Sequence, residues 1–325
     1  MQSDITVLIA AGSRAGILPV LLAALERQTL APGRFEVVVS GQAGGDGTLE
    51  EAERFARGSP VRITCVECAA EGQAAALNLA AKTAKGRMLL FLDTLLLPSP
   101  RLVERHLAAH TEIQDPACVF GSMANHPRLR PGALTRWLLP EERPLPVKDS
   151  MPFAVWRMQN LSMPKAVFSE LGGLDETYSP ATAAIHLGLR AARLDLRTVV
   201  DGGARAHIWC ECSLTGERRR LYFEGRALRR LADAMDVAGL EAHYHLSPPW
   251  WARFRDRLLV PYYVRAVEEH RPDDRPFGLA RRRILRRERY AGFAHEAAGT
   301  PPVWPSAVSC TAEPAVPGDP FRDFE

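Results

Sequence analysis

Short apolar runs and amphipathic segments follow one another in a regular order over residues 5–93. Buried strands are indicated by the runs ITVLIAA, RFEVVVSG, VRITCVEC and RMLLFLD. Helices are indicated between them by GILPVLLAALERQTL, LEEAERFARG and GQAAALNLAAKTAKG. Strands that alternate with helices predict an α/β fold with a mainly parallel sheet and flanking helices. In such sheets ligands bind beyond the carboxyl ends of the strands, which here are residues 10–13, 41–45, 68–73 and 93–97.

The alternation then stops, and the rest of the chain divides into regions of different composition. Sheet and helix segments are still indicated by NLSMPKAVFSELGGLDE, AAIHLGLRAARLD and RTVVDGGARAHIW. From residue 214 the pattern is helical and Arg-rich, and after residue 290 prolines occur without periodicity. We therefore predict an α/β domain over residues 1–213, a C-terminal helical extension over 214–290, and a poorly ordered Pro-rich tail over 291–325.

Composition and charge exclude several classes of protein. The 325 residues are 46% hydrophobic and 24% charged, as is typical of a soluble globular protein. The net charge of +3 is too small to indicate nucleic acid or an anionic membrane as a partner. The chain has no apolar run near the ~20 residues of a transmembrane segment. It also lacks the features of a signal peptide, so we expect a cytoplasmic protein.

The order of the segments over residues 5–207 resembles the family 2 glycosyltransferases, which have the GT-A nucleotide-sugar fold. The segments that carry the resemblance are AAGSR, GGDGT, GQAAALNLAAKTAKG, FLDTLLLP, NLSMPKAVFSELGGLDE, LGLR and ARAHIW, in this order. The resemblance implies that a nucleotide-diphospho-sugar cleft is lined by Arg14, Asp46, Asn78 and Asp93. It also places His207 where the family often has a histidine that can ligate the metal.

Three acidic pairs of the family are missing from this chain. Gly41 and Gln42 replace the first pair, and two leucines follow Asp93 at positions 95 and 96 where the signature has acids. Ala183 and Ala184 occupy the place of the Glu-Asp pair, one of whose carboxylates removes a proton from the acceptor. No catalytic residue is therefore assigned.

The loss of carboxylates also bears on the metal. Mg²⁺ and Mn²⁺ prefer oxygen ligands, and leucine offers none. A surviving site would depend on Asp93 and His207 alone. We expect no cofactor, with Mg²⁺ or Mn²⁺ and a nucleotide-diphospho-sugar bound only if activity is retained.

Three functions remain open on these residues. The first is a catalytically degenerate homologue, a pseudoenzyme that serves as a binding or assembly partner. The second is an active transferase with a remodelled, metal-independent site, in which arginine stabilises the diphosphate; the candidates are Arg14, Arg190 and Arg205. The third is a nucleotide or sugar sensor that keeps the cleft without the chemistry.

The C-terminal helices carry two segments that could meet a protein partner. Residues 247–264 (SPPWWARFRDRLLVPYYV) contain the aromatic side chains that often anchor interfaces, and residues 279–290 (LARRRILRRERY) are rich in arginine. The alternative interpretation, which the pattern favours, is that the aromatics pack the helices onto the sheet domain. The Arg-rich helix then presents a solvated face.

Overall fold

The chain folds into two compact units. The computed structural model describes residues 3–12, 16–42, 47–113, 116–129, 156–235, 240–269, 277–303, 312–314, 316 and 319–321. One unit takes residues 1–128, 141–210 and 316–325, and the other takes residues 129–140 and 211–315. In the described part of the chain, we find no helix whose length and apolar character would let it cross a lipid bilayer.

The first unit is built on a mixed sheet. Its strands are β1 (Ile5–Ala10), β2 (Phe35–Gln42), β3 (Arg62–Cys68), β4 (Met88–Leu92), β5 (Leu96–Pro98), β6 (Ala117–Asn125), β7 (Asn160–Pro164) and β8 (Arg197–Ile208). Among the described residues they form one eight-stranded sheet in the order β3-β2-β1-β4-β7-β6-β8-β5. The first four strands are parallel, which confirms the predicted crossovers. Strand β7 runs antiparallel to β4 and β6, and β5 runs antiparallel to β8.

Helices cover both faces of this sheet. They are α1 (Leu18–Glu26), α2 (Thr48–Ala56), α3 (Gln73–Thr83), α4 (Leu102–Glu112), α5 (Lys165–Glu170) and α6 (Pro180–Arg193), with a 3₁₀ turn at Pro32–Arg34. Side chains alternate along β1: Ile5, Val7 and Ile9 pack in the cluster that contains α1, α2 and α4 residues. Leu8 packs in the cluster that contains residues of α3, α5 and α6. Burial on both faces explains why the central strands β1 and β4 are nearly continuous apolar runs, whereas β3 is only partly buried and includes polar residues.

A buried polar cluster holds α4 to the sheet. Asn160 donates from Nδ2 to the carbonyl oxygens of Ser122 and Ala204, at 3.1 and 2.9 Å, so its Oδ1 is the acceptor for Nε2 of His106 at 2.9 Å. Ser162 Oγ lies 2.8 Å from Nδ1 of His106. Because Nε2 carries the proton, Nδ1 accepts from the hydroxyl. Burial lowers the pKa of His106 to about 4, which agrees with a neutral ring.

The second unit is mainly helical. Its elements are β9 (Cys210–Cys212), which begins at the boundary, α7 (Leu214–Ala234), α8 (Leu240–Tyr244), α9 (Trp250–Glu269), α10 (Phe277–Ala297) and β10 (Ala312–Pro314). Helix α7 begins with Ser213 as its cap, whose side chain accepts a hydrogen bond of 3.0 Å from the Gly216 N–H. Helix α10 continues to Ala297, beyond the predicted end of the helical extension at residue 290.

Helices α7 and α10 touch backbone to backbone at two glycines. A Cβ at Gly225 would lie 1.9 Å from the Arg289 carbonyl oxygen, and one at Gly292 would lie 1.9 Å from the Tyr222 carbonyl oxygen. Real Cβ atoms do not approach a carbonyl oxygen so closely, so these positions require glycine. The two glycines therefore set the distance between the helices.

The close approach brings arginines and glutamates of the two helices into ion pairs, which we call the α7–α10 ladder. Glu288 accepts from Arg218 at 3.0 Å, and Glu224 accepts from Arg289 at 2.9 Å. Glu224 and Glu288 are buried, at 5% and 4% exposure. Arg226 of α7 pairs with Glu296 of α10 at 2.5 Å. The interpretation of the Arg-rich segment as a solvated face is wrong for the residues that face α7.

The aromatic segment also differs from its interpretation. Trp250, Trp251, Phe254 and Tyr262 of α9 are exposed, at 73%, 54%, 61% and 68% of their surface. The pattern favoured a packing role for these aromatic side chains, but most of their surface is not buried. The buried face of α9 consists of smaller residues, and the large aromatic side chains lie on its opposite face.

Candidate functional site

The predicted site lies where the parallel strands end. Strand β1 ends at Ala10 and β2 ends at Gln42, and β4 is followed by Asp93. Arg14 and Asp46 fall in segments 13–15 and 43–46, which lie outside the described residues. Their part in a nucleotide-sugar cleft stays a prediction.

Asp93 caps the turn that leads from β4 into β5. Its Oδ1 accepts a hydrogen bond of 2.9 Å from the Leu95 N–H, and its carbonyl oxygen accepts one of 3.0 Å from the Leu96 N–H. The Asp93 N–H donates to the Gln159 carbonyl oxygen at 3.1 Å. An aspartate that bonds the backbone two residues onward is a common turn-forming device. The carboxylate therefore has a structural task whether or not it meets a ligand.

The two leucines after Asp93 differ in their surroundings. Leu95 is half-buried at the turn, whereas Leu96 begins β5 and is 2% exposed. Leu96 packs with Ile9, Leu92 and their neighbours in the core cluster on one face of the sheet. An acid at position 96 would be surrounded by apolar side chains in this chain. The replacement of the family's acids by leucine therefore has different consequences at positions 95 and 96.

His207 lies at the same edge because β5 pairs with β8, where Leu97 is opposite His207. Its Nδ1 is 3.5 Å from Ser99 Oγ, and its ring centroid is 6.1 Å from that of His126. Burial, with the nearby His126 and Arg205, lowers the pKa of His207 to about 4. The ring is neutral at physiological pH.

His126 and Ser99 are residues of this edge that sequence reasoning missed. His126 is fully buried and follows the end of β6, and its Nδ1 accepts from the Arg128 N–H at 3.1 Å. The proton therefore sits on Nε2, which donates to the Pro320 carbonyl oxygen at 2.9 Å. His126 belongs to no sequence motif, so no pattern in the sequence indicated its contact with Pro320.

A short C-terminal segment, residues 319–321, lies on the first unit beside His126. Besides the bond to Pro320, the Arg128 guanidinium contacts the Asp319 carbonyl oxygen. The Arg27 guanidinium stacks over the Phe321 ring, 4.2 Å from its centroid. The tail was predicted to be poorly ordered; these residues of it make side-chain and backbone contacts.

The positions of the family's Glu-Asp pair lie inside the core. Ala183 and Ala184 follow the first turn of α6 and are 0% and 1% exposed. One turn later the Trp156 ring packs on Gly188, where a Cβ would lie 2.6 Å from the ring. Both Trp156 and Ala183 belong to the same apolar cluster. A glutamate at position 183 would have to displace this packing.

Asn78 and Arg190 hold the loop between α5 and α6. Asn78 accepts from the Leu174 N–H at 2.9 Å and donates to the Leu174 carbonyl oxygen and to Glu176, both at 2.8 Å. The Arg190 guanidinium donates to the Gly173 carbonyl oxygen at 2.5 Å. It also contacts the Leu171 carbonyl oxygen. The nucleotide contact of Asn78 stays a prediction, and its amide is already committed to the loop.

The described residues at this edge do not fit the cation site that the fold implies. Divalent cations of this kind need several oxygen ligands. Asp93 supplies one carboxylate, which already accepts from a backbone N–H, and Leu95 supplies no ligand. Across the described ranges, no group of three or more His, Cys, Asp and Glu side chains is placed to hold a metal ion.

Comparison with known proteins agrees with the architecture. The sequence model of the family described as "Glycosyl transferase family 2" matches residues 6–144. Validoxylamine A glucosyltransferases from Streptomyces hygroscopicus subsp. limoneus and subsp. jinggangensis (strain 5008) are each 29% identical over 202 residues, covering 54% of this chain. The matched region covers 44% and 48% of these relatives, so the chain spans less than half of their length.

Solved structures show the same fold. A mannosyltransferase, PcManGT from Pyrobaculum calidifontis, solved in complex with GDP-Man and Mn²⁺, superposes with a TM-score of 0.60 at 17% identity. The match covers 93% of this chain and 89% of the mannosyltransferase. TarS of S. aureus gives a TM-score of 0.51 at 14% identity, over 90% of this chain and 55% of that protein. The predicted GT-A architecture is confirmed; identities this low show the fold alone.

Proposed function

The matched part of this chain is a family 2 glycosyltransferase domain, and from that premise we propose that it no longer carries out metal-dependent sugar transfer. We infer that it acts as a binding or assembly partner. The observation that carries this proposal is the burial of the positions where the family has its acids. Leu96, Ala183 and Ala184 are at most 2% exposed, and Leu96 and Ala183 each pack in one of the two core clusters of the sheet unit.

The missing groups account for a large part of catalysis. Stabilisation of a departing diphosphate by a metal is worth several kcal/mol. A positioned general base contributes roughly 10²–10⁴-fold to the rate. Apolar residues packed into the core can supply neither the stabilisation of the diphosphate nor the general base. The remaining carboxylate, Asp93, is engaged with the Leu95 N–H, and His207 is neutral and buried.

The test compares binding and turnover with and without Mn²⁺. In titration calorimetry, Mn²⁺ should not raise the affinity of the protein for UDP or GDP. UDP-glucose and GDP-mannose should be hydrolysed no faster than in a protein-free blank. GDP-mannose is the ligand in the mannosyltransferase structure, and UDP-glucose is chosen as a nucleotide-activated glucose because the relatives are glucosyltransferases. Turnover by the wild-type chain that disappears in Asp93→Ala would contradict the proposal.

A gain-of-function variant sharpens this test. Leu95→Asp places a second carboxylate two residues after Asp93 at a half-buried position, so it needs no repacking of the core. We expect this variant to acquire Mn²⁺-dependent binding of a nucleoside diphosphate. Leu95→Asn is the matched control, because it has the same shape without the charge.

The other two functions correspond to defined outcomes. A metal-independent transferase would turn over donor without Mn²⁺ and lose activity in Arg205→Gln, where the exposed Arg205 lies two residues before His207. Arg190 is less suited to this role because its guanidinium already donates to the Gly173 carbonyl oxygen. A sensor would bind a nucleotide without Mn²⁺ and without turnover.

A further inference from the structure

Helix α9 turns its largest apolar side chains toward solvent. Trp250, Phe254, Leu258 and Tyr262 are 73%, 61%, 60% and 68% exposed, and Trp251 is 54% exposed. Four of these residues are spaced four apart, so they lie on the same face of the helix. This aromatic stripe extends about 18 Å along the helix axis, at 1.5 Å per residue.

The inward face of α9 is less apolar than the stripe. It buries Ala252, Val260, Val264 and Val267, which are small, together with the acidic residue Asp256. Asp256 pairs with Arg255 at 3.0 Å. A helix of a globular protein normally buries its largest apolar residues and exposes its polar ones. A contiguous exposed apolar patch of this kind marks an interaction surface.

The charges beside the stripe have one sign. Arg253, Arg257 and Arg265 are exposed on α9, interleaved with the aromatic residues. Asp256 is the only acidic residue in the sequence from 250 to 265, and it is 1% exposed. The stripe is therefore flanked by positive charge without exposed acids in this segment. Its complement is an apolar surface that carries negative charge.

We propose that the α9 stripe docks on an anionic lipid surface, with the helix lying in the plane of the headgroups. Tryptophan and tyrosine prefer the boundary between headgroups and acyl chains, because one end of the ring is apolar and the other is polar. Arginines beside them reach lipid phosphates while their stems cover apolar surface. Large exposed aromatic side chains next to exposed arginines, with no exposed acid in this segment, favour a membrane surface over an acidic protein.

The experiment is flotation of the purified full-length chain with vesicles of phosphatidylcholine, with or without phosphatidylglycerol. We expect binding to the anionic vesicles and a blue shift of tryptophan fluorescence. The double variant Trp250→Ser/Phe254→Ser should lower partitioning at least about tenfold, since two large apolar side chains are removed from the contact. Arg253→Gln/Arg257→Gln should weaken binding to anionic vesicles in particular.

A matched control separates the stripe from general surface hydrophobicity. Val303, at 68% exposure, is as exposed as Tyr262 but lies outside α9, so Val303→Ser should leave partitioning unchanged. Far-ultraviolet circular dichroism checks that each variant is folded. The proposal is overturned if the wild type does not bind anionic vesicles, or if the double variant binds as well as the wild type. It is equally overturned if the double variant abolishes a dimer in size-exclusion chromatography while vesicles bind neither protein.

Discussion

The α7–α10 ladder and the α9 stripe use the same kinds of residue in opposite ways. In the ladder, arginines pair with the buried acids Glu224 and Glu288 between two helices. In the stripe, Arg253 and Arg257 stand beside exposed aromatic side chains. Composition predicted the reverse assignment, with the arginines in solvent and the aromatics buried. Whether a side chain faces inward depends on what the fold places opposite it.

The physical cause of the difference is the contact surface of each helix. Gly225 and Gly292 let α7 and α10 approach backbone to backbone, so arginines of one helix reach acids of the other. Among the described residues, α9 makes no such close contact through its outward face, and its inward face buries alanine, valines and Asp256.

Replacing a contact glycine should disrupt the ladder most strongly. Gly292→Ala puts a Cβ 1.9 Å from the Tyr222 carbonyl oxygen, so the helices must separate. Although alanine favours a helix by roughly 1 kcal/mol over glycine, we expect a net loss of about 3 kcal/mol in the free energy of unfolding. Urea denaturation measures it. Gly33→Ala, where no atom lies within 4 Å of the added Cβ, is the control. Equal stability of the two variants would show that the helices do not depend on this contact.

Removing one ladder acid should have an intermediate effect. Glu224→Gln leaves Arg220 and Arg289, at 2.8 and 2.9 Å from its oxygens, without their charged partner. Because both arginines are partly exposed, we expect a loss of about 1.5 kcal/mol rather than the full cost of a buried orphan charge. Asp233→Asn breaks an exposed pair with Arg229 and should cost less than about 0.5 kcal/mol. Urea denaturation compares the free energies of unfolding of the two variants. A larger loss for Asp233→Asn than for Glu224→Gln would contradict a stabilising role of the ladder.

Truncating the stripe should hardly change stability. Phe254→Ser replaces a side chain that is 61% exposed, so we expect a change within about 0.5 kcal/mol. The same substitution at Phe293 of α10, which is 4% exposed, should cost about 3 kcal/mol or more. Thermal and urea unfolding of the two variants give the comparison. A large loss from Phe254→Ser would mean that the stripe packs within the chain.

The parallel half of the sheet could be predicted because its cause is local. Each of the strands β1 to β4 contains a short apolar segment, and the alternation of Ile5, Val7 and Ile9 with Leu8 follows from the strand period. The antiparallel pairing of β5 with β8 could not be predicted. It joins Leu97 to His207 across an irregular region, and no local pattern encodes such a distant partner.

The candidate site shows the same division at the level of single residues. The motif after β4 marked Asp93 and the two leucines that follow it, but it did not distinguish Leu95 at the turn from Leu96 in the core. Asn78 was a candidate for nucleotide binding because of its place in a motif. Its amide bonds to Leu174 and Glu176 became visible only when the loop between α5 and α6 was in place.

The α/β architecture of the first unit and the absence of the acidic pairs follow from the amino-acid sequence alone, since periodicity and residue identity are properties of the chain. Tertiary structure decided which side chains have partners. His207 meets Ser99 and His126, and the ladder arginines meet their acids, only through contacts between distant segments. Burial and charge pairing depend on these contacts, because desolvation and Coulomb interaction act through space rather than along the chain.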